Sequence, residues 1–134
     1  MNDSIFEKRK ELSLTRITKA VFPDTTNHHD TLFGGTAMQW MDEASFISAT
    51  RFSRKRLVTV SSDRIDFEHP VPAGSVVELI ASVADVGRTS LTVRVEMWVE
   101  SMYHDGRTKA ISGVFKFVAV DQNMQPTPVM EFTD

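Results

Sequence analysis

The residues best suited to carry out chemistry lie in one stretch, between Pro23 and Phe52. This stretch begins as a polar loop, passes through Gly34 and Gly35, and then follows the pattern of one long helix. Paired glycines allow a close backbone approach and leave their N–H groups unobstructed. A helix that begins at or just after them would direct free N–H groups and the positive end of its dipole outwards. Such an end suits a carbonyl oxygen that acquires negative charge.

Asp42 is a carboxylate that this helix carries among mostly apolar neighbours. The helix is predicted from about Thr36 to Phe52, because its apolar residues recur near the 3.6-residue period. Asp42 follows Met38 by four residues and therefore shares its face. Since an unpaired buried charge is costly, Asp42 is either paired or functional. Glu43 lies about 100° further around the helix, where we expect a salt bridge or solvent.

The remaining pattern predicts the elements that must hold this helix. Alternating apolar residues predict strands at 13–22, 57–67, 76–86, 91–102 and 109–121. Gly87-Arg88-Thr89-Ser90 is short enough for a hairpin turn, and Asp105-Gly106 signals another. Short turns imply antiparallel neighbours, whose apolar face must be covered. The helix at 36–52 is the only long one predicted, so we expect an α+β fold in which an antiparallel sheet wraps around one long central helix.

Composition limits the classes of protein to consider. The 134 residues are enough for a single domain over 1–134, with less regular termini at 1–12, as a frayed arm or short helix, and at 122–134. The net charge of −3 argues against a nucleic-acid binder. The absence of cysteine excludes disulfides, thiolate zinc sites and a catalytic thiol. Because the N-terminus has no apolar signal segment and no run suits a membrane span, we expect a cytoplasmic protein.

A longer motif runs through the same loop and helix. It reads Asn27-His28-His29-Asp30-Thr31-Leu32-Phe33-Gly34-Gly35, then Met38 and Met41-Asp42. This motif resembles the hotdog-fold acyl-CoA thioesterases, most of all the bacterial YciA-type and animal brain-type acyl-CoA hydrolases. Later stretches fit the same family: Val58-Thr59-Val60, Phe67-Glu68-His69-Pro70-Val71, Gly74, Gly87-Arg88-Thr89-Ser90 and Val95-Glu96-Met97-Trp98-Val99. The resemblance covers most of the chain, from about Leu14 to Asp121.

The resemblance implies a hotdog domain that hydrolyses the thioester of acyl-CoA, in fatty acid metabolism, to a free acid and CoA. It implies a homo-oligomer in which paired domains form sites at their interface and dimers commonly assemble into hexamers. Asn27 of one subunit would face Asp42 of the other. Asp42 would be the general base or the nucleophile, Asn27 would orient water or polarise the carbonyl, and the Gly35 amide, with Gly34, would hold the oxyanion. No metal or organic cofactor is expected.

Two further groups of residues are candidates for binding the CoA part of the substrate. Arg54, Lys55 and Arg56 form, with Arg51, a basic cluster at the predicted end of the helix that could attract CoA phosphates. Its alternative role is to compensate the helix dipole. Arg88-Thr89-Ser90 could hold the pantetheine or a phosphate, or simply close the hairpin. Phe33 and Gly34 complete the predicted substrate-binding set.

Other interpretations of the same residues stay open. His28-His29-Asp30 invites a metal-site interpretation, although adjacent loop histidines seldom chelate an ion unaided. Another hotdog activity, such as dehydration or hydration of an acyl thioester, usually needs a histidine base, and no histidine falls on the predicted helix. A non-catalytic acyl-CoA sensor or binding module would keep the basic cluster without turnover. Three positions depart from the family pattern: Asp30, where glycine is common, Ser75, where an acidic residue is usual, and Glu43, which directly follows Asp42.

Overall fold

The structure is a computed structural model that describes residues 3–130. Its elements, in chain order, are α1 (Asp3–Ser13), β1 (Thr15–Val21), a 3-10 turn (Pro23–Thr25), α2 (Gly34–Ser53), β2 (Arg56–Phe67), β3 (Ser75–Val86), β4 (Ser90–Ser101) and β5 (Arg107–Val120). The strands form an antiparallel sheet in the order β1-β3-β4-β5-β2. The predicted α+β fold is confirmed, and each strand lies within two residues of its predicted bounds.

The core lies between the inner face of the sheet and the buried face of α2. The inward positions of β3 and β4 are at most 1% exposed: Val77, Leu79, Ala81, Val83, Leu91, Val93, Val95 and Met97. From α2, Ala37, Met41, Ala44 and Ala49 are buried to the same degree. Alanines on this face allow the helix to lie close to the sheet. The contact fixes the height and rotation of the helix, and therefore the position of Asp42.

Residues 3–13 form the short helix α1, one of the two forms expected for 1–12, although residues 1 and 2 lie outside the described residues. Two arginines join α1 to α2 in opposite directions. The Arg9 guanidinium donates to the Phe52 carbonyl at 2.8 Å, near the end of α2. Arg51 of α2 donates back to the Leu12 and Leu14 carbonyls, at 2.7 and 2.9 Å. Within residues 3–130, neither helix is long and apolar enough to cross a lipid bilayer.

The C-terminal segment is irregular, as expected for 122–134, although 131–134 lie outside the described residues. It is nevertheless attached to the sheet. Val129 and Met130 are at most 2% exposed, and the Val129 N–H donates to the Arg88 carbonyl at 3.0 Å. The segment therefore supports the hairpin that joins β3 to β4.

Strand β2 is a sheet edge, and its course is irregular. Among the strands of residues 3–130 it pairs with β5 alone, with register shifts between Thr59 and Ser61 and between Asp63 and Asp66. At the second shift Ile65 fills the space above Gly113, where a built Cβ would overlap the Ile65 Cδ1. A bulge of this kind bends a strand and redirects its side chains. The first half of β2 thereby lies beside α2.

Candidate active site

The N-terminus of α2 is open. The helix begins at Gly34, two residues earlier than the predicted Thr36, and its N-cap residue Phe33 makes no side-chain capping bond. The Ala37 N–H donates to the Phe33 carbonyl at 3.0 Å and closes the first turn. No acceptor among residues 3–130 takes the N–H of Gly34, Gly35 or Thr36. These donors are free to bind a ligand at the positive end of the helix dipole.

The glycine pair does not serve close packing of α2 against the sheet. A Cβ built on Gly34 meets nothing within 4 Å. A Cβ on Gly35 would lie 2.8 Å from Cε1 of Phe33, whose ring is 56% exposed. Both glycines therefore face surface rather than core, and Phe33 covers Gly35.

Asp42 and Gly35 line the same cleft, which has a volume of about 480 Å³. Met38 and Phe115 supply apolar walls. Asp42 is half-buried, and its Oδ1 accepts a hydrogen bond from the Thr59 hydroxyl at 3.1 Å. Its Oδ2 receives no hydrogen bond from any residue in 3–130. One carboxylate oxygen is thus held in place while the other can take a proton or attack a substrate.

Sequence reasoning missed Thr59 as the partner of Asp42. In the sequence, Val58-Thr59-Val60 indicates only a strand that fits the family. A polar residue in an otherwise apolar start of a strand was the available signal. The contact of the Thr59 side chain with α2 depends on the pairing of β2 with β5. Strand alternation does not encode that pairing.

Asn27 lies in a second cleft, of about 300 Å³, with Thr31, Gly34 and His69. Its Oδ1 accepts three hydrogen bonds: from the His29 N–H at 2.9 Å, the Thr31 N–H at 3.2 Å and the Thr31 hydroxyl at 3.1 Å. Because the adjacent residues Gly34 and Gly35 line different clefts, the two clefts flank the start of α2. Within one chain the structure does not bring Asn27 and Asp42 into a common cleft.

The loop that carries Asn27 explains one departure from the family pattern. Asp30 has φ +59°, in the left-handed region that favours glycine. The rings of His28 and His29 contact each other at a tilt of 43°, with centroids 3.9 Å apart, and both residues are exposed. No three His, Asp or Glu side chains within residues 3–130 are grouped as a metal site would require.

The predicted basic cluster divides into residues with different surroundings. Arg54 is the C-cap of α2 in the left-handed conformation, with φ +56°, and its N–H donates to the Thr50 carbonyl at 2.7 Å. Arg56 is exposed at the start of β2, next to Lys55. Arg51 hydrogen-bonds the Leu12 and Leu14 carbonyls and is therefore less available to a ligand than Arg54 or Arg56.

The hairpin of Arg88, Thr89 and Ser90 lies at the same end of the sheet as the basic cluster. Its closure is confirmed by the Gly87 N–H, which donates to the Ser90 carbonyl at 2.7 Å. The Thr89 carbonyl accepts from the Ala119 N–H at 2.9 Å, and β5 pairs Ala119 with Leu57 of β2, next to Arg56. The strand order therefore places the two predicted CoA-binding sets at the same end of the sheet, with β5 between them.

Comparison with known proteins identifies the family. The model of the thioesterase superfamily matches residues 29–103, more than half of the chain. The chain belongs to the thioesterase superfamily, and the predicted hotdog fold is confirmed. An uncharacterized acyl-CoA thioester hydrolase of Zymomonas mobilis is 40% identical over 80% of this chain and 72% of that protein. The acyl-CoA thioester hydrolase YciA of Escherichia coli is 36% identical over 78% of this chain and 81% of that protein.

Solved structures give the same result. The Staphylococcus aureus acyl-CoA hydrolase, in complex with butyryl-CoA, CoA and CoA disulfide, is 32% identical with a TM-score of 0.86, over 90% of this chain and 74% of that one. Structures of that hydrolase with an aspartate, a threonine or an asparagine mutated to alanine match at 31% identity. A hexameric acyl-CoA thioesterase is 34% identical with a TM-score of 0.87, over 90% and 78% of the two chains.

Proposed function

We propose that this chain hydrolyses acyl-CoA thioesters to a free carboxylic acid and CoA. The observation that carries the proposal is the presence, in one cleft, of the Asp42 carboxylate and the open N-terminus of α2 at Gly35. Hydrolysis needs an activated nucleophile and donors that stabilise charge on the carbonyl oxygen. This cleft offers both.

In the proposed reaction the Gly35 N–H, with that of Gly34, donates to the thioester carbonyl oxygen and stabilises its developing charge. Asp42 takes a proton from a water that attacks the carbonyl carbon, or attacks that carbon itself to form an anhydride that water then hydrolyses. Thr59 holds one Asp42 oxygen in either case. The carbon–sulfur bond breaks, and CoA leaves as a thiolate that takes up a proton. Amide N–H groups polarise the carbonyl, so the proposed mechanism requires no metal or organic cofactor.

The proposed active unit is a homodimer in which Asn27 of one subunit meets Asp42 of the other. Its support is the separation of these residues into two clefts and the free edge of β2. On that edge Val60 and Phe67 are 49% and 56% exposed, and an edge strand can pair with a second copy. The hexameric relative supports assembly of dimers into a hexamer. The S. aureus mutants replace the residue types of Asp42, Thr59 and Asn27.

The CoA part is proposed to run from the thioester towards the basic end of the sheet. Arg56 precedes Thr59, beside Asp42, by three positions along β2, a distance of roughly 10 Å. Arg54, Lys55 and Arg56 would bind the phosphates, and Arg88, Thr89 and Ser90 would contact the pantetheine or the nucleotide. The reaction is proposed to take place in the cytoplasm.

Replacement of Asp42 tests the proposed function. We expect Asp42→Ala to lower kcat for acyl-CoA hydrolysis by at least about 10²-fold, the usual effect of losing a positioned base. Released thiol is measured spectroscopically across a panel of acyl chain lengths. Glu43→Ala is the matched control, because Glu43 is exposed on the same helix and lies outside the cleft; it should keep wild-type activity.

The same assay separates the competing functions. Full activity in Asp42→Ala, with an unchanged circular dichroism spectrum, would refute the role of Asp42. Tight acyl-CoA binding by the wild-type protein without thiol release would instead indicate a binding or sensor module. A change in the acyl chain without thiol release would indicate hydratase or dehydratase chemistry.

A further inference from the structure

We infer that Thr31 is a positioning residue that commits the Asn27 side chain to act as a hydrogen-bond donor. The inference deepens the proposed thioesterase function and rests on it. The residue types alone do not show that Asn27 acts as a donor, because an asparagine amide can donate through its nitrogen and accept through its oxygen. The surroundings of the amide decide which end is available.

The amide oxygen of Asn27 is fully occupied by its own loop. The backbone N–H groups of His29 and Thr31 reach it at 2.9 and 3.2 Å, and the Thr31 hydroxyl at 3.1 Å. A backbone N–H can only donate, so these contacts identify the atom as oxygen and not nitrogen. The Asn27 Nδ2 has no acceptor among residues 3–130, and Asn27 lines a cleft. The amide therefore presents donors only.

The backbone holds this loop independently of the Thr31 hydroxyl. The Asn27 N–H donates to the Thr31 carbonyl at 2.8 Å, and the Asp30 N–H donates to the Asn27 carbonyl at 3.0 Å. A bridge joins Thr31 to Pro72, beside β3. Loss of the hydroxyl should consequently leave the loop folded and release one of the three contacts that orient the amide.

The occupied oxygen restricts what Asn27 can do in the reaction. An amide with no free oxygen cannot accept a hydrogen bond from the attacking water. A donor aimed at that water would also draw electron density from the atom that must attack. Two acceptors remain in the proposed dimer site, the Asp42 carboxylate and the thioester carbonyl oxygen, and of these the carbonyl oxygen gains charge in the transition state. Asn27 thus joins the Gly35 N–H as a second oxyanion donor.

The first arm of the test replaces the donor. Asn27→Asp keeps the shape and the oxygen that the loop requires, and loses the NH2 group. We expect kcat to fall by about 10² to 10³-fold, the scale of losing one oxyanion donor, with little change in KM. Wild-type activity in this variant would overturn the donor role of Asn27.

The second arm tests Thr31 itself. Thr31→Val removes the hydroxyl at nearly constant shape, and should lower kcat about three- to tenfold, the scale of one neutral hydrogen bond. Thr31→Ser restores a hydroxyl and should recover most of that loss. Thr26→Val is the matched control, because the Thr26 hydroxyl donates to the Pro23 carbonyl at 2.7 Å and not to Asn27. Equal kcat in Thr31→Val and the wild type would overturn the positioning role.

A measurement without turnover separates this inference from the proposed function. The NMR resonance of the Asn27 side-chain NH2 group can be assigned by its loss in Asn27→Asp. Its chemical shift should change in Thr31→Val and return to the wild-type value in Thr31→Ser. An unchanged signal in Thr31→Val refutes the orienting contact even if the protein is a thioesterase. A shifted signal in a protein that releases no thiol keeps the contact and refutes the reaction.

Discussion

The two ends of α2 differ in how far their backbone groups are hydrogen-bonded within the protein. At the C-terminal end Arg54 caps the helix through the Thr50 carbonyl, the Ser53 hydroxyl donates to the Ala49 carbonyl at 3.0 Å, and Arg9 binds the Phe52 carbonyl. At the N-terminal end, the first three N–H groups of the helix have no acceptor among residues 3–130. Every helix leaves four groups unpaired at each end. Here the protein supplies donors to carbonyls at one end, and the N–H groups at the other end are left for a ligand.

The difference shows where stability and function lie along one element. The contacts at the C-terminal end attach α1 and fix the helix in the fold. The N-terminal end includes the exposed Gly35, so water can solvate its donors in the free protein and the cost of leaving them unpaired is small. A substrate oxygen then replaces that water. Changes at the N-terminal end should therefore alter catalysis, and changes at the C-terminal end should alter stability.

The largest expected effect comes from removing the Gly35 N–H. Proline is accommodated in the first turn of a helix, where the N–H has no intrahelical acceptor. We expect Gly35→Pro to lower kcat by about 10² to 10³-fold, the effect of losing one oxyanion donor. Activity and thermal unfolding are measured on the same sample, and the helix content by circular dichroism.

Gly35→Ala is the matched control for this change. It brings the same Cβ close to the Phe33 ring but keeps the N–H. The two variants share the added Cβ, and proline differs from alanine by the missing N–H and by its ring. Equal activities would show that the Gly35 N–H is not the donor, and would break the assignment of function to this end of α2.

The next effect is expected at the opposite end, in Arg51→Ala. This change removes three contacts of the guanidinium, to the Leu12 and Leu14 carbonyls and to the Thr15 hydroxyl at 3.0 Å. We expect the free energy of unfolding to fall by about 1–3 kcal/mol, the scale of losing hydrogen bonds from a charged donor. Denaturant unfolding at a fixed protein concentration measures it, and kcat should stay near the wild-type value.

Arg9→Ala provides the graded comparison, since among residues 3–130 the Arg9 guanidinium donates one hydrogen bond, to the Phe52 carbonyl. It should destabilise the protein less than Arg51→Ala. A large loss of kcat at full stability in either variant would contradict the division of roles between the two ends.

The smallest expected effect is a gain of stability in Arg54→Gly. Arg54 has φ +56°, a conformation that glycine adopts without strain. The left-handed conformation costs a non-glycine residue about 1–2 kcal/mol, and the extra entropy that glycine loses on folding offsets part of this, so we expect the free energy of unfolding to rise by about 0.5–1 kcal/mol. If Arg54 also binds a CoA phosphate, KM should rise, and the rise should shrink at high salt because exposed charges are screened.

Arg54→Ala separates these two effects. It removes the charge without removing the strain, so its KM should match that of Arg54→Gly while its stability does not increase. An unchanged KM in both variants would assign Arg54 to the helix cap alone.

Much of the fold was predictable because its signals are local. Alternation along β3 and β4 identified the buried face, and Asp105-Gly106 marked a turn whose glycine has φ +103°. The start of α2 was predicted two residues late, because glycine propensity argues against helix. In the structure the pair occupies the first turn, where helix propensity matters less than an open approach to the N–H groups.

The candidate site was predictable in part. The position of Asp42 on the helix and the glycine pair at its start follow from local pattern and spacing. The contact of Thr59 with Asp42, the separation of Asn27 into another cleft and the use of Arg51 by α1 do not. The roles of these residues in catalysis stay predictions until the variants are measured.

The sequence by itself determined the five strands and most of α2, and which side chains of β3 and β4 face the core, because period and turn chemistry act over a few neighbouring residues. Only the tertiary structure decided that β2 lies beside β5, and hence that Thr59 reaches Asp42. The physical reason is that strand order and hydrogen-bond partners depend on contacts between residues far apart in the chain. Those contacts form only when the whole sheet closes on α2.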